Sequence, residues 1–170
     1  MLPITRSQLA GLLLIWLEKN SAPTAVKEVV KETGYDDSPF FGAAKKRARI
    51  VGEVATVNTA LVIFAANQVF DFADAKVLID TFLAGARQSV FRPIESQDSG
   101  FAQRYEQRMA EYFKVLSEEK PAIGMSFCFL RNLDLNPLEG IQAQVLVAAR
   151  LGQALGQTIE MLKRFQLVAG

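Results

Sequence analysis

Residues 41–70 read FGAAKKRARIVGEVATVNTALVIFAANQVF, and the spacing of their apolar positions decides the fold class. Phe41, Ala44, Ala48, Val51, Ala55, Asn58, Val62, Ala65 and Val69 recur at steps of three and four, the period of one face of an α-helix. Lys45, Lys46, Arg49 and Glu53 give the first half a charged flank, while the second half is apolar almost all round. A helix without a polar face belongs at the centre of a bundle. Ser38-Pro39 reads as its cap and first position. Its charge-free part, Val54 to Phe70, is shorter than the roughly 20 residues of a membrane span. That part also carries Thr56, Asn58, Thr59, Asn67 and Gln68, so we expect a core helix and no transmembrane segment.

Helical spacing continues on both sides. Ser7 is placed to cap a first helix with Leu9, Leu12, Leu13, Trp16 and Leu17 on one face, ending near Asn20. A shorter second helix starts around Ser21 to Thr24 with Pro23 in its first turn, carries Val26, Val29 and Val30, and ends at Thr33-Gly34. After the central helix, Asp71 and Asp74 open a fourth from about Ala73 to Phe91, which Arg92-Pro93 is expected to stop. Arg92 to Gly100 then reads as a surface loop. An edge helix from roughly Ser99 to Glu119 sets Phe101, Tyr105, Met109, Tyr112 and Leu116 opposite a charged face. Ala122 to Leu135 is compatible with strand or helix by period, and its helical neighbours favour helix.

The last helix has the fullest start signal, Asn136-Pro137-Leu138-Glu139. Leu138, Ile141, Val145, Ala148, Gly152, Leu155, Ile159 and Leu162 follow at heptad spacing, with a second stripe of Val147, Leu151, Ala154, Met161 and Phe165 beside it. The expectation is an all-α bundle of about six to seven helices forming a single domain over residues 1–170, with the third and C-terminal helices central.

Composition closes several classes of function. The chain has no histidine and one cysteine, Cys128, which removes Ser-His-Asp and Cys-His catalysis, zinc sites and His-ligated haem. No phosphate-binding glycine motif or carboxylate-plus-His pair is present, so no catalytic residue, cofactor or metal site is assigned. Nineteen basic and 18 acidic residues leave a net charge of +1, which argues against a nucleic-acid partner. The Lys45-Lys46-Arg47-Ala48-Arg49 run fans around its helix without interleaved aromatics and reads as a solvated face. Asp36 and Asp37 are best explained as capping and dipole partners. Cys128, between Phe127 and Phe129, reads as an inert buried thiol in a reducing, cytoplasmic setting. The short apolar N-terminal helix leaves export open as the lesser alternative. An enzyme working by charge alone would need at least three of Arg47, Glu53, Arg87, Arg104, Arg150 and Glu160 to converge in one cleft.

Two features point further. Ala148, Gly152 and Gly156 form a small-residue ridge, and each glycine in a helix interior costs about 1 kcal/mol relative to alanine. Close packing within one copy explains such a ridge most simply; a self-association seam or room for a ligand are the alternatives. Asn58, inside an apolar stripe, either fixes helix register or offers its amide to a ligand. The functional expectation is a non-enzymatic interaction and assembly protein, a homodimer pairing through an apolar helix face. The alternative is a binder of a hydrophobic small molecule or acyl chain near Gly152 and Gly156, with Asn58, Gln68 or Arg150 at the mouth.

Overall fold

The 27 residues of α3 (Ala43–Val69) run through the middle of the molecule and explain its architecture. Val54, Val57 and Leu61 face one hydrophobic cluster, and Ala55, Val62, Ala65 and Ala66 face another. A helix between two cores has no surface on which to place charge, which is why its second half is apolar all round. Each fully buried Val, Leu or Ile contributes on the order of 1.5–3 kcal/mol, and Ile50, Leu61 and Val62 are all fully buried here. Among the described residues α3 is the one helix long and apolar enough to cross a membrane, and 83% of its most apolar window is buried within the bundle.

This computed structural model describes residues 1–35, 43–136 and 140–168. The expected Ser38-Pro39 start, Phe41, the Asp36-Asp37 pair and Pro137 to Glu139 lie outside them. The first cluster gathers α2 (Pro23–Thr33), α6 (Phe101–Leu116), α7 (Pro121–Asn132) and α8 (Ile141–Leu162) on α3. The second gathers α1 (Arg6–Ser21), α4 (Phe72–Ala86), a π-helical turn (Arg87–Phe91) and α5 (Arg92–Gln97). The result is an all-α bundle. Gly52 makes room for α6 on α3: a Cβ there would lie 2.9 Å from the ring of Phe101.

The structure corrects several expectations. Thr5, not Ser7, caps α1: its side chain accepts from the Gln8 N–H while Gln8 Oε1 accepts from the Thr5 N–H, a reciprocal capping box. The segment expected to be a loop after Phe91 is helical to Gln97. Proline interrupts an α-helical ladder because it lacks an N–H, and here the run continues because a π turn precedes Pro93, with the Arg92 N–H donating to the Arg87 carbonyl. Residues 121–132 are helical, as their neighbours suggested. The regular part of α8 begins at Ile141 after Gly140, so Asn136 stands four residues ahead of its N-cap.

A parallel pair was not anticipated. β1 (Leu2–Thr5) and β2 (Phe165–Val168) align Leu2 with Phe165 and Thr5 with Val168. Parallel strands need a long crossover, and here the whole bundle is that crossover. A two-stranded sheet is marginal alone; Ile4, Phe165 and Leu167 pack on the second cluster and hold it.

Candidate functional site

The most polar place in the interior is centred on Glu53, 5% exposed in the middle of α3. Tyr112 of α6 donates its hydroxyl to Glu53 Oε1 at 2.5 Å, and the Asn132 amide of α7 donates to the same oxygen at 2.9 Å. Arg108 Nε lies 3.3 Å from the other oxygen. Burial pushes the Glu53 carboxyl up, outweighing the opposing pull of Arg108, Tyr112 and Asn132. Burial and the Glu53 charge push the Tyr112 phenol well above its ordinary range. One turn earlier Arg49 donates to Asp134 at 2.6 Å and to the Asn132 carbonyl at 2.8 Å. The network ties α3, α6 and α7 together, and it leaves Arg49 Nε and Arg108 Nη1 buried without a hydrogen-bond partner among the described residues.

The spacing sets Glu53 and Arg49 on a charged flank of α3, with Arg49 in a run that reads as a solvated face. The structure turns both toward α6 and α7 instead, because Gly52 lets α6 approach closely enough to cover Glu53. A carboxylate inside an otherwise apolar helix was the signal available; its three partners lie 55 to 79 residues away and give no local sign.

Asn58 is 7% exposed and has no hydrogen-bond partner among the described residues. It borders a cavity of about 60 Å³ between α1, α2, α3, α7 and α8, with Arg150 and Asn20 also in its lining. That is room for on the order of four waters. Arg150 reaches across to α2, where Nε and Nη2 meet the two oxygens of Glu32 at 2.8 and 2.5 Å. The structure thus brings Asn58 and Arg150 together, while Gln68 is exposed near the far end of α3.

The small-residue ridge divides in two. A Cβ on Gly152 would meet the Ala122 methyl of α7 at 3.3 Å, so close helix packing accounts for that glycine. Ala148 is half-buried beside it. Gly156 is exposed, and a Cβ there would meet nothing within 4 Å. The inward face of α8 is Val147, Leu151, Leu155, Thr158 and Leu162. Ile141 and Val145, expected in a buried stripe, are 68% and 60% exposed because the contacts of α8 lie on the face defined by Val147 and Leu151.

The outer face of α8 leaves apolar side chains exposed. Ile141, Val145, Ala149, Gly152 and Gly156 follow one another at steps of four, four, three and four, with Leu146 exposed alongside. From Ile141 to Ile159 the one charged residue is Arg150, which is paired to Glu32.

Of the six charges named for a charge-based cleft, Glu53 and Arg104 line one small cavity and no third joins them there; Arg150 pairs with Glu32, Arg104 with Asp98, and Glu160 with Lys163. Cys128 does have a cationic neighbour, with Arg131 Nη2 3.8 Å from its sulfur, yet burial keeps the thiol pKa raised. Among the described residues no group of three or more acidic or thiol side chains is placed to hold a metal ion. Comparison with family models, curated proteins and solved structures returns no match.

Proposed function

We propose that this protein is a non-catalytic assembly module that pairs with a second copy of itself through the outer face of α8. The observation that carries this reading is the taper of that face. Its N-terminal positions are large (Ile141, Val145) and its C-terminal positions are glycines (Gly152, Gly156). A two-fold axis near residues 148–149 sets two α8 helices antiparallel, with Ile141 of one copy opposite Gly156 of the other and Val145 opposite Gly152. Ile141 then meets the gap at Gly156, the glycine that packing within one copy leaves open, while Val145 passes over the small residue Gly152 beside the α7 contact, the self-complementarity that an isologous contact requires. Gly156 gains a purpose that packing within one copy does not give it. The ridge spans about 22 Å at 1.5 Å per residue. A single helix seam is at the small end of specific interfaces, below about 1,200 Å², so dissociation constants around the micromolar range are expected.

Cysteine cross-linking tests the register. Ala149→Cys, near the axis, is expected to form a disulfide-linked dimer under mild oxidation, whereas Gln103→Cys on the outer face of α6 stays monomeric. Equal cross-linking at both positions, or none at 149, overturns the pairing. The second reading, a small ligand at Asn58, is favoured by that unpartnered amide only where the ligand brings a polar group to meet it, and the cavity holds a few non-hydrogen atoms rather than an acyl chain.

A further inference from the structure

A second, larger concavity lies nearer the N-terminal end of α3, beside Arg47, Ala48 and Val51, and nothing in the assembly reading uses it. It has a volume of about 450 Å³, within the range of small-molecule sites. Its floor is apolar, built from Pro23, Ala48, Val51, Val90 and Ile94. One wall is the π-helical turn, a rare widening that recurs at functional sites.

The polar groups around it are arranged by charge. Glu18 and Arg47 both border the opening, both are exposed, and neither has an ion-pair partner among the described residues. Ser21 follows Glu18 by three residues, so the two share one face of the last turn of α1. It is 6% exposed, and its hydroxyl has no hydrogen-bond partner among the described residues. The same corner joins the C-terminal end of α1 to the N-terminal end of α2 across Ala22. Helix C-termini favour cations and N-termini favour anions, and α2 has no side-chain cap to occupy its free N–H groups.

We infer that this cavity binds the zwitterion of an α-amino acid with a large apolar side chain. The ammonium sits against Glu18, the Ser21 hydroxyl and the carbonyl end of α1. The carboxylate meets Arg47 and the N–H end of α2, and the side chain occupies the apolar floor. A ligand carrying both charges satisfies both rim groups at once, whereas a simple hydrocarbon leaves the Ser21 hydroxyl unpaired.

Calorimetric titration of the full chain with L-phenylalanine tests this, with L-alanine, hydrocinnamate and phenethylamine as comparators. L-phenylalanine is expected to bind with a dissociation constant of about 1 mM or tighter. Each comparator, lacking the apolar side chain, the ammonium or the carboxylate, is expected to bind at least about tenfold more weakly. Arg47→Gln and Glu18→Gln, both at exposed positions, should each weaken L-phenylalanine by a similar factor while leaving the thermal melt unchanged. No binding of L-phenylalanine overturns the inference. So does binding of hydrocinnamate or phenethylamine as tight as that of L-phenylalanine, or indifference to both charge substitutions, since the hole would then be merely apolar.

Discussion

Helices α6 and α8 occupy equivalent places, each lying on the outside of the bundle against α3 and α7, and they treat solvent in opposite ways. The 16 residues of α6 carry five charges, Arg104, Glu106, Arg108, Glu111 and Lys114. Arg104, Arg108 and Glu111 are engaged with Asp98, Glu53 and Arg131. The 22 residues of α8 carry two, Arg150 and Glu160, and its exposed face from Ile141 to Gln157 is aliphatic, small or amide. A helix that ends its packing at its inward face needs charge on the other, as α6 has. A helix with a neutral outer face and an unfilled glycine has one packing surface more than this copy uses.

The largest expected effect is common to both helices and marks their shared inward role. Leu151→Ala on α8 should cost about 2–5 kcal/mol in urea unfolding, because Leu151 is buried in the first cluster. A loss under 1 kcal/mol would mean that α8 is not anchored as described. Next comes the anchor that α6 has and α8 lacks. Tyr112→Phe removes the hydroxyl that Glu53 accepts, and should cost roughly 1–3 kcal/mol.

The same anchor gives α6 a pH signature. The folded state holds the Glu53 proton more tightly than the unfolded chain does. Its contribution to stability is therefore fully present below the ordinary glutamate value of 4.5 and is lost as pH rises through the raised value. Urea midpoints measured across pH 4 to 8 should fall less steeply for Glu53→Gln than for the unaltered protein. Parallel curves would remove Glu53 from the explanation.

The smallest change separates the two roles of α8 itself. Gly156→Ala should stabilise the isolated chain by about 1 kcal/mol, since the new methyl meets nothing within 4 Å. The same methyl should weaken dimerisation, because it fills the gap opposite Ile141. Stabilisation with unchanged dimerisation would leave Gly156 outside any interface.

Much of the fold was legible because a helical period is a local signal. The stripe from Ala44 to Val69 made α3 the core, and Phe101 to Leu116 made α6 an edge helix. What escaped depends on distant partners. The pairing of β1 with β2 joins segments some 160 residues apart, and four-residue strands leave too little alternation to detect. The π turn before Pro93 has no sequence sign beyond the proline, which was taken as a stop. At the candidate sites, Asn58 and Arg150 were identifiable as polar groups in an apolar setting, and they do share a cavity. Gln68 did not join them, because no periodicity fixes where the end of α3 meets its neighbours. Spacing showed that α8 has two apolar stripes; it did not show that Ile141 and Val145 stand exposed while Leu155 and Leu162 of the same stripe are buried.

Sedimentation equilibrium of the unaltered chain, from about one to several hundred micromolar, tests the central claim most directly when paired with Val145→Glu. The unaltered protein is expected to approach twice its chain mass of 18.7 kDa at high concentration, and Val145→Glu to remain at 18.7 kDa with its unfolding unchanged. A single species of 18.7 kDa at every concentration of the unaltered chain, or a dimer indifferent to Val145→Glu, would contradict the assignment of α8 as the pairing surface.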